Sequence, residues 1–207
     1  MRLHIGEIPD SPDFIPDESW TRMPEPTPWV MQLLALPIGL GLAVMLGVLW
    51  MILTPLGRGP APSLAEIFGA VLAIVTAHEA LHLMMHPRTG DSIVGVWPAR
   101  FLFYTHYHNQ IPCRRYLAVL LTPVVVLSLL PLVACACMAT ASAFLAIASV
   151  TNALFASGDL FAVGLLLAQV PRHAMLRNKG WWVYWSVGRP QKGDSPQKGD
   201  RLDGTRA

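Results

Sequence analysis

His78, Glu79 and His82 stand in the stretch TAHEALHLMMH (residues 76–86), at the spacing of the pattern His-Glu-x-x-His. On an α-helix the two histidines are i and i+4. Their imidazoles therefore share one face a single turn apart and can grip one metal ion. Glu79 is displaced round the helix by one residue. Its carboxylate reaches a water beside the metal rather than the metal itself, which is where a general base belongs. The chemistry this spacing implies is metal-assisted hydrolysis. A plainer alternative is a buried polar cluster that ties helices together.

The elements that must position these residues read as membrane helices. Of 207 residues 53% are hydrophobic and 14% charged, with a net charge of +2. That is too apolar for an ordinary soluble domain and too weakly basic to argue for nucleic acid. Residues 29–54 carry no charge and exceed the roughly 30 Å of a hydrocarbon core. Ser63, with Glu66 three residues on, resembles a capping box opening a second helix that runs to about residue 86, before Pro87. Residues 92–112 are rich in Val, Ile, Phe and Tyr and cut by Gly95, Pro98 and Asn109, which suits a small β-hairpin. Residues 116–139 and 142–169 give two more apolar spans, the first holding Pro123 and Pro131.

The expected fold is thus an all-α integral membrane protein of about four transmembrane helices, with a β-hairpin between helices 2 and 3. Residues 1–28 form an acidic, proline-rich N-terminal segment with no signal peptide, and 29–170 the membrane domain. Residues 171–207 comprise an aromatic cluster (Trp181, Trp182, Tyr184, Trp185) expected at the membrane interface and a polar, disordered tail. Cys113, Cys135 and Cys137 read as small packing residues, not a disulfide framework. Gly39, Gly41 and Gly47 allow close packing of helix 1. Of the fifteen Lys and Arg, two precede helix 1, one lies between helices 1 and 2, four between 2 and 3, and eight after helix 4. Both termini and the hairpin are expected to face the cytoplasm.

Deep ionisable residues in the spans are few: His78, Glu79 and His82 in helix 2 and Asp159 in helix 4. Each is costly alone in lipid, so they are expected to meet. Two histidines leave a tetrahedral ion short of a third protein ligand. His86 continues the i+4 series but lies about 6 Å further along the helix. His106 and His108 alternate like a strand face and could fold over the site. Asp159 fits best, because its depth overlaps that of the histidines within about two turns. Zn²⁺ with one Asp and one Glu is also neutral as a unit. The alternative for Asp159 is a carboxylate held by the backbone or by Asn152.

HEALH on a transmembrane helix, a short strand-like insert and a later TNALFASGDL together resemble the bacterial family of membrane-embedded putative zincin peptidases, over roughly residues 25–170. They are also similar in style to site-2 proteases, in which a later helix supplies an aspartate as third zinc ligand after an asparagine; Asn152 and Asp159 match these. The resemblance implies zinc held by His78, His82 and Asp159, with Glu79 as base.

The function expected is an intramembrane zinc metalloprotease of the bacterial inner membrane, cutting a membrane-associated protein. The substrate arrives extended and pairs with an edge of the hairpin at 93–107, and Asn152 holds it or the oxyanion. One alternative keeps the metal and changes the substrate to a lipid amide or ester. Another is a non-catalytic scaffold or transporter whose buried His and Asp carry protons or metal.

Overall fold

The computed structural model describes residues 2–11, 13–55 and 63–188. Helix α1 (Pro28–Leu53) begins at a proline, whose missing N–H is no loss in a first turn, and holds no charge along its length. It buries only a stripe, Ala35, Gly39, Ala43, Leu46 and Trp50, while Leu33, Val44 and Ile52 point outward. An apolar helix of this length with so little buried in protein is long and apolar enough to cross a membrane. Helix α2 (Leu64–Met85) opens with the capping box expected of Ser63 and Glu66, and His86 caps its C-terminus.

The third span is continuous from Cys113 to Cys137. It comprises α3 (Cys113–Pro123), a π-helical turn (Val124–Leu129) and α4 (Leu130–Cys137). The fourth is not one helix: α5 (Ala143–Phe155) and α6 (Ser157–Gln169) meet at 46°. Among the described residues, three helices are therefore long and apolar enough to cross a membrane, or four spans if the bent pair is one. The bend lets α1 pass close by. A Cβ on Gly39 would lie 2.7 Å from Ser157 Cβ, so only glycine fits that crossing without a shift.

The all-α expectation needs correction. The hairpin is present, as β3 (Ser92–Trp97) antiparallel to β4 (Leu102–Tyr107), but it is part of a three-stranded sheet. β1 (Arg2–Ile5) joins β3 in parallel. A second sheet has the order β2-β7-β6-β5, from β2 (Thr21–Arg22), β5 (Ile111–Pro112), β6 (Met175–Lys179) and β7 (Trp182–Ser186). The N-terminal segment is therefore woven into both sheets. Short strands whose partners are distant in sequence leave no periodic signal of their own.

The aromatic cluster is also built into protein. Trp181 Nε1–H donates to the Pro26 carbonyl, and the Arg22 guanidinium lies 3.8 Å over the Trp182 ring. Beneath these sheets, Met23, Ile111, Val119, Leu166, Leu176 and Val183 form a core joining α3 and α6 to the second sheet. Cys113 lies in that core, and Cys135 packs with Leu46 and Trp50 in another; Cys137 is exposed. The polar tail lies outside the described residues.

Candidate metal centre

His78 and His82 project from one face of α2, buried at 5% and 6% exposure. Asp159 enters from the first turn of α6, just past the bend. His78 Nε2 lies 3.0 Å from His82 Nε2, and Asp159 Oδ2 lies 3.1 Å from the first and 3.3 Å from the second.

The protons on these rings follow from their other contacts. His82 Nδ1 faces the Val119 carbonyl at 2.9 Å, which only accepts, so Nδ1 donates. Asn152 Nδ2 donates to the Pro123 carbonyl and to Ser128 Oγ, both at 2.9 Å, which turns Asn152 Oδ1 toward His78 Nδ1 as an acceptor at 2.9 Å. In their neutral forms His78 and His82 therefore both aim Nε2 lone pairs at the shared point. Asp159 Oδ2 is buried there and has no hydrogen-bond donor. Three acceptors meeting without a donor repel one another unless a cation lies among them. A proton serves one pair of them; a divalent ion serves all three. A tetrahedral ion with bonds of about 2.0–2.1 Å separates its ligands by about 3.3 Å, close to the spacing present. The donor set of two imidazoles and one carboxylate fits zinc.

Glu79 stands beside this centre. Its Oε2 accepts from Thr105 Oγ1 on β4 at 2.7 Å, an arrangement for which the sequence offers no signal. Glu79 and the three converging side chains line one cavity of about 230 Å³. The whole of β4 lines it too, and β4 is an edge strand of its sheet. The far wall comes from Met23, Glu25, Tyr116, Asn178 and Val183, none of which the sequence singled out for the site. Glu25 accepts from the Val183 N–H at 3.1 Å, and burial pushes its carboxyl up to about 7. A second cavity of about 310 Å³ reaches His78 and Glu79 between Met31 and Leu36 of α1, Val75 of α2, and Phe101, Phe103 and Phe155.

The remaining histidines stay out of the converging group. His86 Nδ1 lies 3.0 Å from Ser92 Oγ, and the ring packs on Tyr107. His106 packs against the His108 ring. Burial drives His86 down to about 4 and His106 to about 3, so both are neutral at ordinary pH. Asn152 differs from the sequence expectation of a substrate or oxyanion contact. It is fully buried, with both Nδ2 hydrogens and Oδ1 engaged, and has no donor left to offer.

Residues 71–175 match the family model described as "Putative zincin peptidase". The chain belongs to this putative zincin peptidase family. The zincin-peptidase stretch takes in His78, Glu79, His82, Asn152 and Asp159, whereas α1, the N-terminal strands and β7 lie outside it. No curated protein and no solved structure matches the chain.

Proposed function

We propose that the chain is an intramembrane zinc peptidase that hydrolyses a peptide bond in a membrane-associated protein. The observation that carries this reading is the meeting of three acceptor atoms, from His78, His82 and Asp159, in the same cavity as the Glu79 carboxylate. His78 and His82 would hold zinc through Nε2 and Asp159 through Oδ2. A bound zinc ion supplies Lewis acidity, polarising a carbonyl and acidifying water. Glu79 takes the proton of the attacking water and returns it to the departing amine. Thr105 holds the Glu79 carboxylate in place for both transfers.

A helix hides its carbonyls, so the substrate must be extended where it is cut. The outer edge of β4, beside which no further strand lies among the described residues, runs along the cavity and would offer backbone groups to such a segment. That edge favours a peptide over a lipid ester or amide. The apolar passage between α1 and α2 supports entry from the bilayer side. The loops holding most of the Lys and Arg would lie in the cytoplasm, with the host membrane the bacterial inner membrane.

Elemental analysis of the detergent-purified full chain tests the reading. Wild type and Glu79→Gln should each hold about one zinc, while His78→Ala, His82→Ala and Asp159→Ala lose it. Wild type should cleave a fluorogenic peptide library in micelles and Glu79→Gln should not. A wild type that carries no transition metal after chelator-free purification would overturn the zinc centre. Zinc without peptide cleavage, but with fatty acid released from phospholipid vesicles, would move the reading to a lipid hydrolase. Zinc with neither activity would leave a scaffold.

A further inference from the structure

In an α-helix the carbonyl of residue 119 accepts the N–H of residue 123. Position 123 is proline, which has no N–H. The Val119 carbonyl accepts His82 Nδ1–H instead, at 2.9 Å. The carbonyl of Pro123 itself accepts Asn152 Nδ2 at 2.9 Å, and Asn152 Oδ1 accepts His78 Nδ1–H at 2.9 Å. The chain turns from α to π pitch at the next residue, with the Leu130 N–H reaching back five residues to the Val125 carbonyl. One fully buried proline thus stands behind both histidines: through the N–H it lacks on one side, and through the carbonyl it presents on the other.

We infer that Pro123 is a positioning residue for the metal centre, fixing both His78 and His82 as Nδ1–H tautomers with Nε2 free to bind. The inference rests on the zinc reading of this site. Its physical basis is competition. An N–H at position 123 would compete with His82 Nδ1–H for the Val119 carbonyl, loosening the ring and reducing the preference for the binding tautomer. Asn152 would be affected less, because the Pro123 carbonyl survives substitution. Pro131, the other proline of this span, lies about two turns further along the same continuous helix, away from Val119 and Asn152, through which His82 and His78 are held, and serves as the control.

The experiment uses the full chain in detergent, with zinc affinity read by competition with a chromophoric chelator. Pro123→Ala should weaken zinc binding about tenfold, the low end for a partner of a metal-binding histidine. Placing L-lactic acid at position 123 by an ester link keeps the alanine methyl but again removes the N–H, and should restore wild-type affinity. Pro131→Ala should bind as wild type does. In parallel, ¹⁵N NMR of the metal-free protein should show a shifted His82 tautomer balance in Pro123→Ala and not in the ester variant. Wild-type affinity and tautomers in Pro123→Ala would overturn the inference. So would an ester variant as weak as the alanine one, since the ring and not the missing N–H would then matter. Absence of zinc from the wild type would sink the metal reading instead, and the tautomer measurement would still decide the role of Pro123.

Discussion

Thr105 Oγ1 on the edge strand lies 2.7 Å from Glu79 Oε2 on α2, joining the sheet to the proposed base of the candidate metal centre. A hydrogen bond to a charged group contributes about 1.5–3 kcal/mol, and each 1.4 kcal/mol is tenfold in rate. Thr105→Val, nearly the same shape without the hydroxyl, should lower kcat about tenfold while zinc content stays at the wild-type level. Thr105→Ser should recover most of the rate. Loss of zinc in Thr105→Val would mean that the strand supports the ligands and not the base.

Glu25 makes the fold sensitive to pH from outside the spans. Its carboxyl is raised from 4.5 to about 7, chiefly by burial, against the Val183 N–H and the Arg22 charge, which both favour ionisation. Between these values the folded chain holds a proton that the unfolded chain has lost. Stability from this group is therefore full below about pH 4.5 and falls as pH rises toward 7, by at most about 1.4 kcal/mol per unit. Glu25→Gln should flatten the decline of Tm across that window, measured as the difference from wild type. Parallel Tm curves for the two proteins would contradict this.

The crossing of α1 over the bend gives a geometric test. A Cβ on Gly39 would meet Ser157 Cβ, and Asp159 follows two residues later. Gly39→Ala should cost about 1–3 kcal/mol by overpacking and should weaken zinc binding as α6 is displaced. Gly41, where a Cβ meets nothing within 4 Å, should accept alanine with neither effect. Equal behaviour of the two variants, in Tm and in zinc affinity, would show that the crossing does not set the position of Asp159.

The local parts of this architecture were legible in the sequence, and the long-range parts were not. His78 and His82 announce themselves because i, i+4 spacing is written in one helix, and the Ser63–Glu66 capping box follows a local rule of the same kind. Asp159 stood out as the lone carboxylate deep in a later span, and the structure brings it to the two histidines. The break at Ala156 was missed because no proline marks it, and the alanine sits there buried in an ordinary right-handed conformation. The sequence suggests a substrate or oxyanion contact for Asn152, yet its partners are His78, a backbone carbonyl and a serine on other helices, which no pattern in its own helix encodes. In the sequence, Pro123 is only a proline inside an apolar span. What it supplies is an unclaimed carbonyl, visible only once His82 is seen beside it.

The pairing of β1 with β3, and of β2 with β7, has a consequence for biosynthesis. Thr21 pairs with Trp185, and Met23 N–H donates to the Val183 carbonyl, so the cavity wall holding Glu25 is joined to β7, the last strand among the described residues. The two histidines emerge long before that strand is made, because α2 precedes β7 by about a hundred residues and chains are made from the N-terminus. A nascent chain would carry its ligands with the far wall unbuilt, and such distant pairings form late and slowly. The cavity beside His78, His82 and Asp159 would then be complete only after β7 has been made, so the side chains that converge there would meet before the chamber around them is closed.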